Sequence, residues 1–149
     1  MGCRAARRLR VCLGRRGTAL VILGTGKMAY GAGFLVDPPS PHGLDLLTRF
    51  CDLTHWSWLW IACGAVTLAS AFVPVGRDRW GFVAALVPPV VWGTAYLTAF
   101  LSGTYSRGVW LALWYATSHV MLIVWASRVP EFEEPHRTTA RRGADGRPG

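Results

Sequence analysis

Four apolar stretches, each close to the length that crosses a bilayer, fill most of this chain, and nearly all of its arginine lies outside them. The pattern predicts an all-α membrane protein, a bundle of four transmembrane helices over 17–36, 56–75, 80–101 and 108–127. Residues 1–16 then form a basic arm, 17–127 a four-span domain, and 128–149 a polar tail without apolar periodicity that is expected to be disordered. Hydrophobic residues make up 52% of the 149 and charged ones 16%, well below the roughly 25% charged of a soluble domain.

Arginine placement sets the orientation. Thirteen of the fifteen arginines fall in the arm (Arg4, Arg7, Arg8, Arg10, Arg15, Arg16), the turn at Arg77 and Arg79, and the tail (Arg128, Arg137, Arg141, Arg142, Arg147); Arg49 and Arg107 lie in the other two connections. The positive-inside bias then puts N and C termini in the cytoplasm and loops 37–55 and 102–107 outside. In a soluble protein the net charge of +8 would point to nucleic acid. Flanking apolar spans, it points to anionic lipid headgroups, and no nucleic acid is expected. The strong preference for arginine over lysine fits a GC-rich bacterial genome and a location in the plasma membrane.

The first apolar run follows a basic arm, as a signal peptide would, but no A-x-A-like site follows it, so an uncleaved anchor is expected. Arg15-Arg16 precedes Gly17 and Thr18 and is a weak export signal. Met1-Gly2-Cys3 lacks the Ser or Thr of a myristoylation site, since Ala6 stands there. Of the four cysteines, Cys3 and Cys12 are expected inside, Cys63 within a span and Cys51 alone outside, which leaves no intrachain disulfide framework.

Asp37-Pro38-Pro39-Ser40-Pro41 stops the first helix. Residues 43–53 then read as a short amphipathic helix on the outer surface, with Leu46, Leu47, Phe50 and Leu53 towards lipid and Asp45, Arg49 and Asp52 opposite. Trp56, Trp58 and Trp60 cluster at the outer end of the second span, where indoles favour the headgroup region, and Trp80 and Trp125 mark the inner interface.

Lys27 is the sharpest anomaly. It stands near the middle of the first span, where a charge costs about 2.5–3.5 kcal/mol, and no acid lies in any span to neutralise it. It must snorkel, lose its proton or face polar groups inside the bundle. Gly24, Gly26, Gly31 and Gly33 around it would allow a neighbouring helix close approach, and Thr25, Ala29 and Gly33 form a small-residue stripe, as do Ala95, Ala99 and Gly103. Gly24-Thr25-Gly26-Lys27 is not a phosphate loop, because Val21 and Met28 replace the glycine and hydroxyl that loop requires.

His119 lies at a depth similar to that of Lys27, with Tyr115 one turn earlier and Ser118 beside it. Lys27, Tyr115, Ser118 and His119 are therefore the candidate intramembrane polar site, either a structural hydrogen-bonded contact or an ion path. Pro88-Pro89 removes two helical donors mid-span and marks a candidate kink or hinge, expected near Ala84 and Ala85, with Trp92 and Tyr96 following on one face. His42, Asp45, Cys51, Asp52 and His55 share a loop but have no recognised metal-ligand spacing, and His136 stands alone. With no nucleophile–base pair, membrane aspartate pair or H-E-x-x-H, no catalytic residue, metal or cofactor is expected, and the chain does not read as an enzyme.

Through Arg16-Gly17-Thr18, Gly24-Thr25-Gly26-Lys27, Leu44 to Thr48 and Thr117-Ser118-His119, residues 15–130 resemble the small four-span membrane proteins of high-GC actinobacteria and their phages. No activity is established for that group, so the resemblance implies architecture alone. The functional expectation is a non-enzymatic accessory or interaction protein that packs against itself or a membrane partner. The alternatives are a phage-type holin that permeabilises the inner membrane, and a small ion or proton channel or transporter using Lys27 and His119.

Overall fold

The computed structural model describes residues 2–74 and 76–129, with side chains from residue 14 onward; the expected disordered tail and His136 lie outside the described residues. Among the described residues the regular elements are all helices: α1 (Gly2–Val36), α2 (Asp45–Thr48), α3 (Leu53–Ser70), α4 (Arg79–Leu101), α5 (Gly108–Trp114), a π-helical segment (Tyr115–Met121) and α6 (Leu122–Arg128).

Within α1 the arm and the span are separated at Gly14, whose φ of 62° and ψ of −172° suit glycine alone. Among the described residues, three helices are long and apolar enough to cross a membrane: Gly14–Val36, Arg79–Leu101 and Gly108–Arg128. The expected second span is α3, which has 18 residues and ends at Ser70, after which tight turns carry the chain through Ala71 and Phe72 to Val73. At about 27 Å it is shorter than the others, and His55 with three tryptophans dilutes its apolar character.

Neighbouring helices in sequence pack side by side, and glycine brings α1 and α3 into backbone contact. A Cβ on Gly64 would fall 2.9 Å from the Gly24 carbonyl oxygen and the Met28 nitrogen, and one on Gly31 would fall 2.8 Å from the Ser57 carbonyl oxygen. Of the four glycines expected to admit a neighbour, Gly24 and Gly31 do so, whereas Gly26 and Gly33 meet nothing. The Ala95–Ala99 face is buried within the chain, and Gly108 lies against Tyr96 and Phe100. That stripe therefore serves packing inside this chain, and Thr25, Ala29 and Gly33 remain exposed. The fourth helical stretch, Gly108–Arg128, comprises α5, the π-helical segment and α6; α1 packs on it mainly at α6, and the two backbones lie farther apart along the rest.

Two packed layers result. One joins Phe34, Trp60 and Trp92 with Leu44, Leu47 and Leu53 from the 37–55 connection. The other joins Leu20, Phe82, Ala85, Ile123 and Ala126 at the opposite end. There Arg16 Nε donates to Asp78 Oδ2 at 2.8 Å, and the other carboxylate oxygen accepts the Gly76 N–H at 3.0 Å. Asp78→Asn removes a charge whose carboxylate is almost covered. We expect it to cost about 1–3 kcal/mol, between the exposed and buried limits, measured by thermal unfolding in a neutral detergent.

The connection corrects the sequence reading. Helix forms only over Asp45–Thr48, and Leu47 and Leu53 turn inward with Leu44 instead of facing lipid. The aromatic layer offers these leucines a dry surface that a surface helix would forfeit, and Trp56 Nε1 holds the turn through the Leu47 carbonyl at 3.1 Å. Phe50 alone of the four expected apolar residues is largely exposed. Gly43 adopts φ +79°, with the Tyr105 ring where a side chain would sit. Trp60 is also corrected: it is buried at the centre of the aromatic layer, whereas Trp58, Trp80 and Trp125 are exposed. Pro88 and Pro89 are fully buried, and α4 continues as one helix through them.

Candidate functional site

Between the two packed layers, where α1 and the fourth helical stretch part, lies a cavity of about 330 Å³. Helical spacing places Ile22, Gly26, Lys27 and Tyr30 of α1 on its wall; α3 adds Trp60. Trp114, Tyr115 and His119 complete it from the fourth stretch. Three of the four expected polar residues, Lys27, Tyr115 and His119, thus share one cavity. Ser118 does not line it but lies against His119.

Lys27 is 4% exposed, and its Nζ lies 4.9 Å from the Trp60 ring centroid. The indole face offers a cation partial compensation through its quadrupole. Among the described residues Lys27 has no ion pair, and no acidic side chain lines the cavity. Trp60 is held in place by edge contacts with Tyr30 at 4.7 Å and Trp92 at 5.3 Å between ring centroids. Among the described residues its buried Nε1–H has no acceptor. An orphaned buried donor is uncommon and costly. At Lys27 and Trp60 the site therefore holds two donors and no carboxylate.

The opposite wall is shaped by the π-helical segment. A wider turn rotates the residues after it relative to a regular helix, and π turns often mark functional sites. Its hydroxyls reach back to the last carbonyls of α5: Thr117 donates to Leu113 at 2.8 Å, and Ser118 donates to Trp114. Ser118 Oγ also lies 2.8 Å from His119 Nδ1. With the hydroxyl proton directed to Trp114, Nδ1 carries the proton of that contact; Nε2 accepts in the neutral ring and donates in the protonated one. Tyr115 stacks on Tyr96 at 6.1 Å between centroids, and its ring lies 5.3 Å from that of His119. Its hydroxyl sits 3.5 Å from that of Tyr30 across the cleft, well beyond the usual O–H···O separation of about 2.7–2.8 Å.

The sequence reading placed Trp60 at the outer interface and did not single out Tyr30, Ile22 or Trp114. Ser57, Trp60, Gly64 and Thr67 recur at spacings of three and four and are all buried, the face that meets α1. That small-residue pattern around one tryptophan was the available signal. His42, Asp45, Cys51, Asp52 and His55 are not gathered: among the described residues no three His, Cys, Asp or Glu side chains come together to hold a metal. Asp45 and Arg49 instead line a second, smaller cavity with Thr98, Ser102 and Thr104. No family model, curated protein or solved structure matches the chain.

Proposed function

We propose that this chain is a non-enzymatic, four-span protein of the bacterial plasma membrane that acts by binding an anionic group within the bilayer, at the Lys27–His119 cleft. The observation that carries the reading is Lys27, nearly buried on the Trp60 face with no ion pair among the described residues. A cation held at such depth is expensive, and an arriving anion offsets that cost. The apolar layers packed at either end of the cleft favour a binding site over a conduit. α3 is taken as the remaining span because it lies alongside α1 in close backbone contact. The thirteen-to-two arginine split supports cytoplasmic termini.

Topology is checked with a membrane-impermeant maleimide on intact cells. Cys51 should react and Cys3 should not; reaction at Cys3 reverses the orientation. Binding is checked by comparing melting temperatures in neutral dodecyl maltoside micelles and in micelles doped with an anionic detergent. The anion should raise the melting temperature of the native protein. Lys27→Met and His119→Ala should each reduce that rise, and together reduce it little further, since both remove one shared unit. Full additivity would separate the two residues. A proton or ion leak in reconstituted vesicles that Lys27→Met abolishes would replace binding with conduction.

A further inference from the structure

We infer that the cleft receives the anionic headgroup of a single-chain amphiphile, a carboxylate or a phosphate monoester on one long alkyl chain, which enters sideways from the bilayer. The inference rests on the reading of the cleft as an intramembrane anion site and names what fills it.

The head is defined by what the walls can recognise. Among the described residues Lys27 has no anion beside it, and the hydroxyls of Tyr30 and Tyr115 are too far apart to satisfy one another well. Head oxygens between them would accept from all three, and charge-assisted hydrogen bonds are the strong ones. His119 adds a further polar group to the same wall. A neutral or cationic head would leave Lys27 as costly as before.

The tail is defined by the opening. α1 and the fourth helical stretch part beside the cleft, and the rim residues Ile22 and Trp114 are 66% and 61% exposed, apolar and on facing helices. Gly26 lies on the wall between them, and a Cβ built there meets nothing within 4 Å, so the entrance is open at that point. An alkyl chain fits such a gap. A partner helix, about 10–12 Å across with its side chains, does not enter a cavity of 330 Å³. A cavity of about 330 Å³ is small for a head that carries two chains on one glycerol.

The test is native mass spectrometry and thermal shift on the full chain in dodecyl maltoside. Palmitate and 1-palmitoyl-lysophosphatidate probe the two head chemistries; hexadecanol, inorganic phosphate and dioleoyl-phosphatidylglycerol serve as controls. Palmitate, lysophosphatidate or both should form a one-to-one complex and raise the melting temperature, with hexadecanol weaker by about tenfold or more. Which head binds more tightly identifies the source. Lys27→Met should abolish the preference for the charged head, Lys27→Arg should retain most of it, and Gly26→Leu, which fills the entrance, should abolish binding of every long-chain probe. Equal binding of palmitate and hexadecanol, or a preference unchanged in Lys27→Met, would overturn the inference. Binding of inorganic phosphate alone would remove the tail, and tighter binding of the two-chain lipid would remove the single-chain class. If instead a synthetic apolar helix carrying one glutamate binds through Lys27, the anion site stands and the amphiphile does not. If no anion responds to Lys27 in any arm, both readings fail.

Discussion

Gly64→Leu should prevent the chain from assembling. The new side chain would start 2.9 Å from the Gly24 carbonyl oxygen and the Met28 nitrogen, and backbone atoms cannot swing aside as a flexible side chain can. Overpacking a well-fitted core typically costs about 1–3 kcal/mol, and a clash with backbone belongs at or beyond the upper end. We expect loss of the monodisperse peak in size-exclusion chromatography, or a melting temperature too low to measure. Gly33→Leu is the matched comparison. It has the same chemistry on α1, but a Cβ there meets nothing within 4 Å, so the protein should fold normally. Equal tolerance of both substitutions would mean that α1 and α3 are not in backbone contact, and the cleft built on their pairing would lose its floor.

Lys27→Met should make the protein more stable while removing its binding. Methionine keeps the length and apolar stem but deletes an ammonium that, among the described residues, has no ion pair and only an indole face for compensation. The gain should approach the cost of a mid-span charge, about 2.5–3.5 kcal/mol, less what the Trp60 face returns. Residues kept at the expense of stability are expected where function needs them. The measurement is the melting temperature in neutral detergent without added anion. A fall would show that Lys27 holds the helices together, and the cleft would then be a structural contact. Trp60→Leu separates the two contributions: it removes the cation's platform and the orphaned N–H together, and should weaken binding without the stabilisation seen in Lys27→Met.

The helix limits were legible because they depend on depth, which runs along the sequence. Apolar length placed the first, third and fourth spans, and Asp37-Pro38-Pro39 fixed the end of α1 at Val36. Which way a residue faces around a helix was harder to read. Trp60 stands at the same depth as Trp56 and Trp58, so depth alone sent all three to the interface; its neighbours Ser57 and Gly64 turn it inward onto α1. The leucines of the 37–55 connection were assigned to lipid because an amphipathic face does not declare its partner, and the aromatic layer proved the drier one. The polar residues of the cleft could be named because each is costly in an apolar span. The π-helical turn that brings Tyr115 and His119 to the wall could not, since the hydroxyls of Thr117 and Ser118 reach back to the last carbonyls of α5 but do not by themselves specify it.

Lys27 is the only lysine in the sequence, so lysine labelled with 15N at Nζ and 13C at Cε gives one side-chain signal that needs no assignment. In neutral detergent the protons of that group should be shifted upfield by the ring current of Trp60, because Nζ sits over the indole at 4.9 Å from its centroid. Trp60→Leu should return them to the position of a free lysine, and an anionic amphiphile should move them where hexadecanol does not. A native signal already at the free-lysine position, unchanged by Trp60→Leu and by added anion, would place Lys27 at the water interface and contradict the site.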